Sequence, residues 1–224
     1  MVSRCVFIIS LLVFGCGVKE ADKDNSVIAV EGEVMDAVID SRAPDQFDFN
    51  SETVNVGSDE TNSYERRLLL FLPKLSDLYE PDIVLSSIAD IRLEIVADGV
   101  PINPRNIQLH FVGVTWTPYV SWNSRFALSD DYNWATPGGD TLDLGYVTPD
   151  IEKLENSLKK LSFNVTQEVI ASILDGQVIY GFILRVHQNA TNSRPFIIIR
   201  TTNGPNSTDP RAILSYSKED ILQP

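Results

Sequence analysis

Cysteine is nearly absent from this chain. Among 224 residues there are two, Cys5 and Cys16, and once residues 1–15 are removed only Cys16 remains. No intrachain disulfide framework can then form. Basic residues are also scarce: 18 Lys and Arg stand against 31 Asp and Glu, for a net charge of -13. Phosphate binding needs a basic patch, so nucleic acid is not an expected partner. The acidity reads first as a solvated exterior, with cation binding the functional alternative. There is no Gly-x-Ser-x-Gly, no His-Glu-x-x-His and no phosphate loop. Histidine is limited to His110 on an alternating strand and His187 at the end of another. Acid–base catalysis needs a partnered group in a cleft, so an enzyme is not the expectation.

Long apolar runs are missing too, apart from the N-terminus, MVSRCVFIISLLVFGCG. Arg4 supplies a positive n-region, and the apolar stretch from Val6 to Phe14 is short for a bilayer span. The end of it resembles a bacterial lipobox, with Gly15 before a cysteine, Cys16, that would be lipidated. The alternative is an ordinary cleaved signal with an incidental cysteine. The expected layout is a signal peptide over 1–15, a polar tether over 16–26, a domain over 27–217 and a tail over 218–224. Gly17, rather than Asp, after the cysteine suggests the outer membrane or cell surface, with secretion as the alternative. Three Asn-x-Ser/Thr sequons, at Asn164, Asn189 and Asn206, would matter only in a eukaryotic source.

What the chain has is short strands. Arg66 to Leu72 is an apolar run closed by Pro73. Ile88 to Val96 alternates, with Ile91, Leu93 and Ile95 against Asp90, Arg92 and Glu94. Ile107 to Val114, Asp143 to Val147, Leu161 to Val165, Val178 to Val186, Phe196 to Arg200 and Ala212 to Tyr216 read likewise. Two short helices are expected. One covers Thr148 to Leu161, from Thr148 as N-cap, Pro149 in the first turn and apolar residues at Ile151, Leu154, Leu158 and Leu161. The other runs from Thr166 to Ile173 and stops at Asp175-Gly176. Many strands with one or two short helices give an all-β class: an antiparallel β-sandwich of jelly-roll type.

All three tryptophans fall in one block, Trp116, Trp122 and Trp134, with Tyr119, Phe126 and Tyr132 between them. Such a block is either a core anchor or a platform for a ligand ring. Trp116 and Trp122 are expected to pack between the sheets. Trp134, Tyr119 or Tyr132 is expected on an exposed loop face, where Asn123, Arg125, Asp130 and Asp131 would supply polar contacts to a sugar. Trp134 is the leading candidate. Arg67 is expected to be structural, held by a carboxylate or carbonyls. Asp36, Asp40 and Asp209 are a candidate oxygen set for structural calcium, without the spacing of a calcium loop. No other cofactor is expected.

The order of these pieces resembles the DNRLRE family, which is related to the disaggregatase-associated domain and to carbohydrate-binding module family 96. The resemblance lies in Asp36-Ala37-Val38-Ile39-Asp40, in Asn55-Val56-Gly57, and in Arg67 before Leu69-Leu70-Phe71. It continues through Ile88 to Leu93, Val114 to Asn123, and the stretch Val165-Thr166, Val169, Gly176, Tyr180-Gly181-Phe182 and Leu184. It closes on Pro210, Ile213, Leu214 and Tyr216. The family's glutamate after Trp116 is replaced by Thr117-Pro118, and residues 148–161 look inserted. The resemblance implies a secreted β-sandwich of the kind appended to polysaccharide-active proteins. Three functions follow as expectations: a non-catalytic surface lipoprotein that binds polysaccharide, an adhesive lipoprotein that binds an envelope protein, and a polysaccharide lyase built on a Tyr/His/Arg site.

Overall fold

The computed structural model of the chain describes residues 27–32, 34–48, 50–58, 64–80, 84–99, 103–126, 132–187, 196–203 and 209–217. The signal segment 1–15, the tether 16–26 with Cys16, Asp130, Asp131 and the tail 218–224 lie outside them. Eleven strands appear among these residues: β1 (Val27–Gly32), β2 (Met35–Asp40), β3 (Thr53–Ser58), β4 (Glu65–Phe71), β5 (Ile88–Asp98), β6 (Ile107–Val112), β7 (Asp150–Lys153), β8 (Lys159–Asn164), β9 (Gly181–Val186), β10 (Phe196–Arg200) and β11 (Arg211–Ser217). One α-helix, α1 (Thr166–Leu174), joins three short 3-10 turns. The all-β class is as expected.

Every strand pairing is antiparallel. Hydrogen bonds run unbroken along β1-β11-β5-β10-β3-β4-β9-β6, with β2 on β4 and the β7–β8 hairpin on β5. The two layers of the sandwich are thus halves of one curled sheet. Alternation drives the curl. Val38, Leu68, Leu70, Leu93, Ile95, Leu109, Phe111, Phe163, Leu184 and Ile199 all turn to one side and share one core. A period-2 apolar face can be buried this way only if the sheet bends around it. The wet face of β5 is less wet than its charges suggest. Glu94 is buried, and Arg211 of β11 (2.8 Å) and Lys160 of β8 (3.4 Å) close over it from the two flanking strands.

Two sequence expectations fail here. Residues 148–161 are not a helix. They form the β7–β8 hairpin, with Glu152 opposite Lys160 and an ion pair of 2.6 Å between them. Asn156 and Ser157 take φ of 56° and 64°, the two left-handed residues of a tight hairpin turn. The apolar spacing of three and four is shared by the two arms of a hairpin, and tertiary pairing with β5 decides between them. Residues 143–147 are not a strand either. Leu142 N–H donates to the Phe111 carbonyl and Val147 N–H to the Leu109 carbonyl, so His110 alone faces residues 143–146, which bow outward. The second helix matches, and the Asn164 carboxamide oxygen accepts from Thr166 N–H at its start (3.1 Å).

A second, smaller cluster lies on the opposite face of β2, β4, β9 and β6. Ala37, Ile39, Leu69, Val112 and Ile183 meet Val120 and Trp134 there, and Val114, Trp116 and Trp122 pack against them. Trp116 and Trp122 therefore anchor the chain, but outside the sheet rather than between its halves. We predict that Asn156→Val or Ser157→Val costs about 1–2 kcal/mol, because left-handed backbone disfavours branched residues. Ser157→Gly is neutral or stabilising. Urea unfolding of the three variants checks this.

Candidate functional site

After β6 the chain crosses the outer face of its own sheet and roofs it. Trp116 Nε1 donates to the Tyr180 carbonyl (3.1 Å) and its ring meets Phe71 edge-on at 6.2 Å. Backbone bonds from Thr117 to Arg125, from Arg125 to Tyr132 and from Trp134 to Asn123 knit the roof internally. The Asp140 carboxylate accepts from the N–H groups of Ala135 and Thr136.

Trp134 is not an exposed platform. It is 4% exposed, with its indole N–H donating to the Ser121 carbonyl (3.0 Å). Its ring fills the second core over Leu69 and Ile183, and this burial removes it from any ligand face. The roof shows solvent Tyr119, 49% exposed, and Tyr132, 48% exposed. Each has an aromatic neighbour. Phe47 stands edge-to-face with Tyr119 at 5.7 Å, and Phe126 lies 5.0 Å from Tyr132. Asn123 donates to the Asp45 carboxylate (3.0 Å), and its backbone N–H to the Pro44 carbonyl. The segment before β3 is thereby joined to the roof, which brings Phe47 to Tyr119. Arg125 lies beside Phe126, reaches the Thr115 carbonyl (3.4 Å), and has a buried Nε without a partner. Phe47 and Asp45 were missed in the sequence, where nothing links residues more than seventy positions from the aromatic block.

Arg67 fastens the roof to the sheet. Its guanidinium holds the Glu65 carboxylate through two bonds (2.7 and 2.6 Å), donates to the Gly138 carbonyl and lies 4.6 Å from the centre of the Trp122 ring. Gly138 sits at φ +90°, and a Cβ there would meet the guanidinium at 2.6 Å. Only glycine permits that approach. Burial works against the Glu65 charge, yet the Arg67 bonds and charge prevail and hold its carboxyl below the usual range.

Of the carboxylates proposed for calcium, Asp36 and Asp209 lie near enough for the Asp209 charge to act on Asp36, while Asp40 is engaged elsewhere. Asp36 is buried and accepts from Thr202 N–H (2.6 Å), and burial pushes its carboxyl up. Asp40 is turned to Arg66 (3.2 Å) and to the Tyr64 hydroxyl (3.1 Å) instead. Among the described residues no group of three or more His, Cys, Asp or Glu side chains is placed for a metal ion. The histidines, by contrast, are not solitary. His110 and His187 both bond Gln108, at 3.2 and 3.1 Å, beside Tyr146.

No family model and no curated protein matches the chain. What it does is therefore argued from the site.

We predict that Arg67→Lys costs about 2–3 kcal/mol, because an ammonium cannot keep the forked contact. A carboxyl depressed in the folded state stabilises above its unfolded pKa and loses that contribution as pH falls through the folded value. The gap between wild type and Arg67→Lys should thus be full at neutral pH and shrink on acidification below the ordinary Glu value of 4.5. Thermal unfolding across pH measures it.

Proposed function

We propose that this chain is a non-catalytic, exported module that binds polysaccharide on the outer surface of its aromatic roof. The observation that carries the reading is the exposed Phe47–Tyr119 pair bordered by Asp45 and Asn123. An apolar platform beside a few fixed polar groups is the arrangement that stacks and orients a sugar ring. Tyr132, Phe126 and Arg125 extend the surface along the same knitted loop. Backbone bonds tie the described residues of the roof to one another, which lowers the ordering that binding would require. The resemblance to the DNRLRE family points to the same ligand class. Export and attachment rest on the N-terminal segment, with Cys16 as the lipidated residue and the outer membrane or cell surface as the location.

One observation favours a second reading, cleavage of a polyanionic glycan. His110 and Tyr146 have ring centres 5.6 Å apart, and His110 is kept neutral, its pKa lowered to about 4 by burial and then by the Arg185 charge. A neutral imidazole beside a phenol is a pairing that proton transfer could use. An adhesive role toward an envelope protein would use the roof's aromatics without any sugar.

Affinity electrophoresis on polysaccharide gels separates these. Tyr119→Ala or Phe47→Ala should weaken retention about tenfold, about 1.4 kcal/mol. Retention unchanged in both variants removes the platform. Trp134→Ala should act on stability instead, by about 3–5 kcal/mol. The retained polysaccharide should gain no ultraviolet absorbance from unsaturated ends, and a gain selects the lyase. For the anchor, Cys16→Ser should leave the membrane fraction, and persistence there argues against lipidation.

A further inference from the structure

The roof covers only part of the outer sheet face. At its rim and beyond it the outward positions of β4, β9 and β6 carry Glu65, Arg67, Arg185, Gln108 and His110, and His187 directly follows β9. Register places Gln108 opposite Arg185 and His110 opposite Ile183, while Leu69 lies opposite Ile183 on the other side. One alternation along, Arg67 and Arg185 are therefore neighbours on adjacent strands. The bowed segment 143–146 brings Tyr146, 51% exposed, against His110.

The charges there do not balance. Glu65 is taken up by Arg67. Arg185 has a half-buried guanidinium whose Nε is buried without a hydrogen-bond partner. Burial and then the Arg67 charge lower its pKa to about 10, so even an arginine is strained as a cation here. Two imidazoles stand beside it. Both contact the Gln108 carboxamide oxygen, which only accepts, so each carries its proton on Nε2 and leaves a lone pair on Nδ1. A chain of net charge -13 thus keeps a local surplus of cations on one exposed patch. Glu65 favours the Arg185 cation by its charge but gives its hydrogen bonds to Arg67, so an anion accepting from the unpartnered Nε would offset the burial cost that remains.

We infer that this patch is a second site, distinct from the aromatic platform, that binds an oxyanion group (a carboxylate, sulfate or phosphate ester) through Arg185, His187 and His110. Gln108 orients the two imidazoles, and the Arg67–Glu65 pair fixes the floor. Tyr146 closes one side as a further donor. The site does not depend on the platform binding sugar.

Protonation follows from the arrangement. Burial lowers the pKa of both histidines, and the Arg185 charge adds to this. At neutral pH both are uncharged and Arg185 holds the anion alone. As pH falls, each imidazole gains a proton on Nδ1 and the anion stabilises that charge. Anion binding is therefore linked to proton uptake and tightens on acidification.

The test is an NMR titration of the imidazole nitrogens in the intact protein, with sodium sulfate, inorganic phosphate, a galacturonate oligosaccharide and a neutral galactose oligosaccharide as probes. We expect at least one anionic probe to raise the pKa of His187 and His110 by about one unit, and the neutral oligosaccharide to move neither. A response confined to the galacturonate oligomer assigns the anion to a polysaccharide, and a response to the inorganic ions assigns it to a small oxyanion. Arg185→Gln should weaken the responding probe about tenfold. Arg185→Lys should restore part of that loss, which a merely misfolded variant would not do. Tyr119→Ala should leave the shift unaltered, so failure of the platform and failure of this site are told apart. Histidine resonances unmoved by all three anions overturn the inference. So does a probe affinity unchanged in Arg185→Gln.

Discussion

One guanidinium gathers three contacts where the two parts of this molecule meet. Arg67 stands on β4, the strand that contributes to both cores, and grips the carboxylate of Glu65, the Gly138 carbonyl and the face of Trp122. Without the roof, the outer face of β2, β4, β9 and β6 would present an apolar strip to water. The roof needs a fixed landing point on that strip, and the planar fork of an arginine satisfies carboxylate, carbonyl and ring together. The aromatic platform and the cationic patch are then consequences of where the roof ends. One is its upper surface, and the other is the sheet it leaves open.

Strands were legible where alternation or an apolar run is long; β3 (Thr53–Ser58), short and set in a polar stretch, was not. The alternation in Ile88 to Val96 and Ile107 to Val114 overlaps β5 and β6, the latter ending two residues sooner, and the apolar run Arg66 to Leu72 overlies β4. The helix from Thr166 was legible from its polar start and its Asp-Gly stop. The β7–β8 hairpin was not, because Ile151, Leu154, Leu158 and Leu161 fit both a helix and two arms around a turn. Asn156-Ser157 was the available turn signal, and it is weaker than a glycine-containing pair. Register with β5 settles the matter, and register is not a local property.

Tyr119, Tyr132, Asn123 and Arg125 do lie on the roof, but Trp134 belongs beneath it. Composition shows that aromatics cluster, and only the fold shows which side of a loop each one takes. The cationic patch left almost no trace in the sequence. Its members come from three strands that are neighbours in space and dispersed along the chain, and each alone reads as an ordinary outward residue of a strand.

The bowed segment after the roof has a further consequence. Residues 141–147 touch the free side of β6 at only two bridges, Thr141 opposite Val112 and Val147 opposite Leu109. That spends the edge's exposed amides on an irregular partner that cannot template another strand. The β7 margin is four residues long and carries Asp150, Glu152 and Lys153. Short, charged or obstructed margins resist edge-to-edge association between copies. These two margins therefore offer little backbone for another copy to pair with.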